Sequence, residues 1–309
     1  MELTDATGTS WPRFEPSGVV QYRDRLVMVD DDINDLFLYS LDGKFIEKIT
    51  SPDFPQAKAK FEDLAYDPAE DRFYVMTPHA LAEPIPPGNE ALAQTLQRRS
   101  LIYSFQLDTQ TPNWRIRPGS VKTYDLTAAL KAADLPYGTE TMALEGLAID
   151  PNGGWVTIGF RRPEPMLYRF PLADLRSGKA PTMLTKFAEL NFTQRPKGEP
   201  DFKISGLHYD INRKGLWVLA STEGDQHRYH GSELWFWPDP TAGQAQPAPR
   251  LVLPTFDPKD KAEGIGIAPN GDAILVYDND QGSVAAEGQT PLDFVGRMRT
   301  VPAAELSVK

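Results

Sequence analysis

One hairpin pattern recurs five times along the chain and limits the folds that this sequence can adopt. Each copy has a short alternating apolar run, a turn rich in Asp, Pro, Asn, Arg or Gly, and then a β-branched and aromatic run. This pattern is typical of a β-hairpin. The copies are PSGVVQYRDRLVMVDDD from Pro16, FEDLAYDPAEDRFYVMTPH from Phe61, LEGLAIDPNGGWVTIGFRR from Leu144, ISGLHYDINRKGLWVLAST from Ile204 and AEGIGIAPNGDAILVYDND from Ala262.

A second pair of strands follows each of the first four hairpins. The segments are LFLYSLDGKFIEKI, LIYSFQLD with SVKTYDL, MLYRFPL with PTMLTKFAEL, and SELWFWPD with APRLVLPTF. Four strands per repeat predict an all-β fold, a β-propeller with five blades. The last hairpin is followed by one good strand, GRMRTVPA. Because a propeller closes its ring with a strand from the other terminus, residues near Glu2 to Trp11 are the candidates for the missing strand.

The long interval between the hairpins that start at Phe61 and Leu144 leaves six blades as an alternative, because it could contain a degenerate blade. It could instead contain two helical insertions, NEALAQTLQRR near Asn89 and TAALKAADL near Thr127. Both segments have helical composition and apolar spacing, and the interval holds only one clear strand pair. We therefore favour five blades with short helical insertions in the loops. The 28 prolines mark no linker, so residues 1–309 are predicted to form a single propeller domain.

Composition excludes several classes of function. The formal net charge is −11, and no run of five like charges occurs; we expect no nucleic-acid partner and no basic membrane-binding patch. No apolar run approaches the roughly 18 residues of a membrane helix. The absence of cysteine excludes disulfides and thiolate metal sites. The first residues resemble no signal peptide. We expect a periplasmic or secreted protein if such a peptide has been removed, and a cytoplasmic one otherwise.

The repeats predict one functional face. In a blade, the first strand begins and the second strand ends at the same mouth of the central channel, where the long connections also lie. The first strands begin with a polar residue at Ser17, Glu62, Glu145, Ser205 and Glu263. The second strands end at Asp30 to Asp32, Thr77 to His79, Arg161 with Arg162, Ser221 to Glu223, and Asp278 to Asp280. We expect two concentric polar rings at this mouth, and a small molecule or a protein as the partner that binds there.

Three glutamates around a narrow axis repel one another, and three outcomes stay open. Glu62, Glu145 and Glu263 are candidate ligands of a hard cation such as calcium, which accepts six to eight oxygens. Alternatively, one carboxyl group has a raised pKa and acts as a general acid or base. The third outcome is a water-filled channel with ordinary ionised carboxylates.

Candidate catalytic residues are Glu145, with His79 as a base and Arg161 as an anion-binding group. A solvated loop histidine and a charge-neutralising arginine are the structural alternatives for the last two. The other mouth residues that we assign to ligand binding are Asp31, Asp32, Arg162, Glu223, Asp278 and Asp280.

The segments LEGLAIDPNGGWVTIGFRRP, VMVDDDINDLFLYSLDG and EGIGIAPNGDAILVYDND resemble a bacterial propeller family of unknown function, and more loosely the phytase-like esterase and SdiA-regulated propellers. The resemblance covers most of the chain. It implies the fold and the inner glutamates, and it transfers no catalytic role. Glu62, Glu145 and Glu263 are also similar in placement to the carboxylates with which gluconolactonase and paraoxonase propellers hold axial calcium. The asparagine-rich pattern of those proteins is less evident here.

Two functional hypotheses follow. One is a small-molecule hydrolase of esterase, lactonase or phosphoesterase type with a cation at the axial glutamates. The alternative is a non-catalytic propeller that binds a protein or a small ligand through its mouth loops. No GxSxG, P-loop, GxGxxG or HExxH motif is present to narrow the choice.

Overall fold

The computed structural model of the chain describes residue 3 and residues 14–81, 85–222, 231–240, 249–256, 261–278 and 296–306. These residues form a five-bladed β-propeller, as the repeats predict. Blade 1 contains β1 (Pro16–Tyr22), β2 (Arg25–Asp30), β3 (Leu36–Ser40) and β4 (Phe45–Ile49). Blade 2 contains β5 (Asp63–Asp67), β6 (Arg72–Met76), β7 (Leu101–Phe105) and β10 (Lys122–Asp125), and a small hairpin of β8 (Leu107–Asp108) and β9 (Arg115–Ile116) follows β7.

The remaining blades repeat the same antiparallel order. Blade 3 contains β11 (Ala143–Asp150), β12 (Trp155–Arg162), β13 (Met166–Pro171) and β14 (Thr185–Glu189). Blade 4 contains β15 (Phe202–Asp210), β16 (Gly215–Thr222), β17 (Ser232–Pro238) and β18 (Arg250–Phe256). Blade 5 has three strands within the described residues, β19 (Lys261–Ile267), β20 (Ala273–Asp278) and β21 (Arg297–Val301).

The innermost strands form a closed ring. Each of β1, β5, β11, β15 and β19 contacts the next one, and β19 contacts β1. Every blade therefore packs between two neighbours, which explains why the second strands β6 and β16 are buried along their whole length. Continuous apolar runs such as LWVLA in β16 are what a sheet buried on both faces requires.

The described residues include one contact of the predicted closing strand. The Leu3 N–H donates to the carbonyl of Gly296, which directly precedes β21, at 2.8 Å. Leu3 is fully buried. This contact places Leu3 beside the outermost described strand of blade 5. The other residues of the predicted range Glu2 to Trp11 lie outside the described residues.

Both predicted helical insertions are present in the mouth-face loops. Helix α1 (Glu90–Arg98) begins after Asn89, whose side chain accepts a hydrogen bond from the Leu92 N–H, and α2 (Thr127–Ala132) follows β10. A third, short helix, α3 (Leu172–Arg176), was not predicted. Its Arg176 donates two hydrogen bonds to Asp67, at 2.8 and 2.9 Å, and so joins blades 3 and 2. None of the helices in the described part of the chain is long and apolar enough to cross a membrane.

Aspartates at the ends of inner strands organise the turns on the face opposite the mouth. Asp150 Oδ1 accepts hydrogen bonds from the N–H groups of Asn152 and Gly153, and Asp210 Oδ1 does the same for the two equivalent residues of blade 4. Gly154 has φ +74°, a conformation that favours glycine. The turns of these inner hairpins are short, but the same face also carries the long connections from β7 to β10 and from β13 to β14.

Candidate active site at the channel mouth

A backbone irregularity sets the position of the inner polar ring. In four inner strands the pairing register skips one residue, and the skipped residues are Ser17, Glu145, Ser205 and Glu263. A β-bulge of this kind redirects the side chain of the extra residue. In blade 2, Glu62 directly precedes β5, and its N–H donates to the Met76 carbonyl at 2.8 Å.

Two serines of this ring anchor the glutamates of the next blade. Ser17 Oγ donates to the carbonyl of Phe61, the residue before Glu62. Ser205 Oγ donates to the carbonyl of Ala262, the residue before Glu263, at 2.7 Å. The ring is therefore held together by bonds between blades.

Glu62, Glu145 and Glu263, called the ring glutamates below, belong to one electrostatic cluster. Glu62 and Glu263 are each 6% exposed. Burial raises the pKa of Glu62 well above its ordinary value, Lys60 opposes the increase, and Glu145 and Glu263 add to it. Burial raises the pKa of Glu263 to about 7, against Lys261 and Arg161. Two ring carboxyl groups thus keep their protons to a higher pH than free glutamate.

Lysines supply much of the compensating charge. Lys60 Nζ lies 2.5 Å from Asp31 Oδ2 and 3.5 Å from Glu62 Oε1, and Lys261 forms an ion pair with Glu263. Each lysine precedes its glutamate by two residues. This spacing is visible in the repeats as KFE, KAE and, in blade 4, KIS, but these lysines were not among the predicted site residues.

The carboxylates that lie close enough to share one ion are not the three predicted metal ligands. Among the described residues, Glu15, Asp31 and Asp32 offer oxygens within 4.8 Å of one another, and the ring glutamates form no such group. Asp32 forms an ion pair with Lys58. Burial would raise the pKa of Asp31, but the ion pair with Lys60 and other hydrogen bonds lower it. Metal binding by the ring glutamates stays a prediction.

His79 lies in a different environment from the one that the sequence suggested. It is fully buried, with φ +57°. Its Nδ1–H donates to the Thr77 carbonyl at 2.6 Å, and its main-chain N–H donates to the Arg99 carbonyl at 2.7 Å. Burial lowers the pKa of His79 to about 4. These contacts are those of a packed structural histidine, and its catalytic role stays a prediction.

The other predicted residues are distributed around the mouth. Arg161, the residue before the last one of β12, is 3% exposed and interacts electrostatically with Glu263, whereas Arg162 is exposed. Asp278 pairs with Lys261 in the backbone register. Glu223, Asp280 and the side chain of Asp278 lie outside the described residues.

The inner strands approach one another closely next to the ring glutamates, at a level called the floor here. Four inner strands carry glycine after the ring position, and blade 2 carries Asp63 instead. A β-carbon on Gly206 would lie 2.8 Å from the Glu263 carbonyl oxygen, and one on Gly18 would lie 2.6 Å from the Leu64 nitrogen. At these positions neighbouring inner strands therefore touch through their main chains.

Asp63 fills the centre of this floor. Its side chain is fully buried; Oδ1 accepts from the Leu64 N–H at 2.7 Å, and Oδ2 accepts from Leu147 N–H at 2.7 Å and Leu207 N–H at 3.2 Å. Leu147 is in blade 3 and Leu207 in blade 4, so the carboxylate reaches across the axis. Asp63 was not among the predicted site residues, although it aligns with glycines in the other four blades.

No protein-family model matches the sequence, and no curated protein matches it. Solved structures do. An exo-β-1,3-galactanase from Clostridium thermocellum has a TM-score of 0.53 at 9% identity, and the match covers 97% of this chain and 61% of that one. A GH43 β-1,3-galactosidase with galactodeoxynojirimycin has a TM-score of 0.51 at 9% identity, covering 97% and 93%.

A protein of unknown function from Bacteroides thetaiotaomicron has a TM-score of 0.46 at 12% identity, covering 90% of this chain and 55% of that one. The relation to phytase-like esterase and SdiA-regulated propellers stays a prediction. Identities this low concern the fold alone. The two neighbours with TM-scores of 0.53 and 0.51 agree with the all-β propeller that the strands of this chain form.

Proposed function

We propose that this propeller is a hydrolase that cleaves a small molecule at the channel mouth by general acid–base chemistry of the ring glutamates. The observation that supports the proposal is the electrostatic interaction among three glutamates at equivalent positions of three blades, with the pKa of Glu62 and Glu263 raised by burial. Carboxyl groups with such pKa values are common in active sites. The GH43 neighbours are hydrolases built on the same fold.

The two residues best suited to the reaction are Glu263 and Glu145. With a pKa of about 7, Glu263 holds a proton in a large fraction of molecules at neutral pH and can donate it to the leaving oxygen. Glu145 is less buried than Glu62 or Glu263 and can accept a proton from the attacking water. Hydrolysis of an ester, lactone or phosphoester bond would use both steps, with Arg161 near the developing negative charge.

The test is a comparison of matched variants on chromogenic esters, lactones, phosphoesters and glycosides. Glu145→Gln and Glu263→Gln are each expected to lower kcat by about 100-fold or more, the usual contribution of a general acid or base. Glu189→Gln, in the outer strand of blade 3 and paired with Lys186 at the surface, is the control and should keep full activity. Wild-type activity in both ring variants would contradict the proposal. No turnover by the wild type would favour the non-catalytic ligand-binding propeller.

A second candidate function, calcium binding, is favoured by the cluster of Glu15, Asp31 and Asp32. Three carboxylates offer oxygens of the kind that calcium prefers. The fit is incomplete, because Lys60 and Lys58 already neutralise Asp31 and Asp32. An ion at this cluster would have to displace both lysines.

Thermal melts in calcium and in chelator test this candidate. If calcium binds the cluster, the melting temperature of the wild type should rise with calcium, because a ligand stabilises the state that binds it. Asp32→Asn should abolish the rise, and Asp42→Asn in an exposed turn should preserve it. If Glu145→Gln, and not Asp32→Asn, abolishes the increase in melting temperature, calcium binds at the ring glutamates. Equal wild-type melting temperatures in both conditions would exclude calcium binding.

A further inference from the structure

A cleft, called the blade 1 cleft below, lies on the mouth face of blade 1, between the loop from β2 to β3 and the connection from β4 to β5. Its volume of about 430 Å³ is in the range of small-molecule binding sites, about 300 to 1,000 Å³. No ring glutamate lines it. The lining residues that bear on a ligand are Asp32, Asp35, Thr50, Phe54, Gln56 and Lys58.

Asn34 joins the two sides of this cleft. Its Nδ2 donates hydrogen bonds to the carbonyls of Pro55 and Ala57, both at 2.7 Å. Its Oδ1 accepts a hydrogen bond from the Ala59 N–H at 3.0 Å. Phe54, in the same connection, is 3% exposed and packs in the apolar core that blades 1 and 2 share. The walls of the cleft are therefore held in place by the protein itself, and a ligand does not have to order them.

The charged groups that line the blade 1 cleft are already paired. Lys58 forms an ion pair with Asp32, and the Lys48 ammonium lies 3.1 Å from Asp35 Oδ2. A charged ligand would have to break one of these ion pairs, whereas an uncharged ligand leaves both intact. The pairing therefore favours an uncharged ligand.

Both ion pairs keep free capacity for hydrogen bonds. A carboxylate offers about four acceptor positions, and an ammonium group has several donors, so one contact between them leaves positions on each. Thr50 adds an exposed hydroxyl, and Gln56 adds an amide whose Nε2 donates to the Phe54 carbonyl at 2.9 Å. A hydroxyl group is both a donor and an acceptor, so hydroxyl groups can bond to the carboxylates and to the ammonium group alike.

The blade 1 cleft adjoins the ring glutamates. Asp31 precedes the cleft residue Asp32, and its Oδ2 lies 2.5 Å from Lys60 Nζ. The same ammonium lies 3.5 Å from Glu62 Oε1. A ligand in the cleft is therefore held at the edge of the channel mouth.

We propose that the blade 1 cleft binds an uncharged polyhydroxylated small molecule, a sugar or a polyol. Its hydroxyl groups bond to Asp32, Asp35 and Lys58, and its C–H groups pack against the apolar part of the wall, which includes Phe54. The inference goes beyond the proposed function, because binding in the cleft requires neither turnover nor the ring glutamates.

The experiment is saturation-transfer difference NMR of the whole chain with D-glucose, D-galactose, D-xylose and myo-inositol, each added up to about 50 mM. At least one compound should give a saturable signal, with a Kd on the order of 1 mM. Asp35→Ala removes a charged acceptor and should weaken binding about tenfold. Gln56→Trp places a large ring at an exposed position of the cleft and should abolish the signal. Circular dichroism should confirm that each variant is folded.

Two matched controls come from the opposite face of blade 1. Asp42 forms one lysine ion pair, with Lys44 at 2.8 Å, so Asp42→Ala is the control for Asp35→Ala. Gln21 lines a separate cleft of about 390 Å³, so Gln21→Trp is the control for Gln56→Trp. Both controls should bind the compound as the wild type does. Equal weakening by Asp42→Ala and Asp35→Ala, or loss of the signal in Gln21→Trp, would overturn the proposal.

Glu145→Gln separates this inference from the proposed hydrolase. It should leave binding of the compound unchanged, whatever it does to turnover. If Glu145→Gln abolishes binding and Gln56→Trp does not, the compound binds at the ring glutamates and the proposal for the cleft is wrong. The proposal is also wrong if none of the four uncharged compounds gives a saturable signal, or if glucosamine binds and they do not.

Discussion

Replacing Asp63 with alanine is expected to destabilise the propeller by about 3 kcal/mol or more. The carboxylate accepts hydrogen bonds from the N–H groups of Leu147 and Leu207, which belong to two other blades. Because Asp63 is fully buried, no water can replace it as the acceptor for these N–H groups. A buried donor that loses its acceptor costs about 1 to 3 kcal/mol, and the variant also leaves a cavity on the axis. Urea unfolding at pH 7 measures the change in the free energy of unfolding.

Two further variants make this prediction specific. Asp63→Asn keeps one accepting oxygen and nearly the same volume, so it should cost less than Asp63→Ala. Asp125→Ala removes an exposed aspartate that accepts a hydrogen bond from the Thr127 N–H, where water can replace the lost acceptor; a loss of about 1 kcal/mol is expected there. Equal losses for Asp63→Ala and Asp125→Ala would show that Asp63 does not join the blades.

The second large effect is a loss of stability in mild acid that depends on His79. Burial lowers the pKa of this histidine from 6.5 to about 4, so between these values the unfolded chain binds a proton that the folded protein does not. The free energy of unfolding therefore rises with pH across this window and falls as the pH drops. The full contribution is about 3 kcal/mol, since one pKa unit corresponds to about 1.4 kcal/mol.

The measurement is urea unfolding at pH 4.5 and pH 6.5 for the wild type and His79→Asn. Asparagine tolerates the left-handed backbone of this position, φ +57°, and it does not titrate. The difference between the two proteins should change by about 2 to 3 kcal/mol between the two pH values. Subtraction removes the opposite trend of Asp30, whose pKa burial raises to about 8. A difference that stays constant with pH would mean that His79 titrates normally.

The blades could be predicted from the sequence because the hairpin repeats are local and the alternation of apolar residues is strong. Ring positions such as Glu145 could be predicted for the same reason, since equivalent places in a repeat occupy equivalent places in the ring. No residue type in the sequence indicates the bulge that redirects Glu145. It follows from the pairing of β11 with β12, which depends on the whole blade.

Charge compensation was harder to foresee. Lys60 and Lys261 stand two residues before their glutamates, but only folding shows that these lysines contact carboxylates of the ring. Asp63 differs from four aligned glycines in the sequence. Its side chain bonds to blades 3 and 4 because the closure of the ring brings together residues that are far apart in the chain. The burial of His79 likewise depends on α1 and the loop before β11.

The cyclic contact of the inner strands, in which β19 meets β1, also affects how the molecule can come apart. A linear array of repeats can fray from its terminal members, each of which has one neighbour. In the closed ring every inner strand has two neighbours, so loosening any one blade breaks two interfaces at once. Opening the ring at one blade is therefore expected to cost more than fraying of a terminal repeat in a linear array. Such a barrier would slow unfolding and prolong the lifetime of the site at the ring glutamates, although their like charges oppose its assembly.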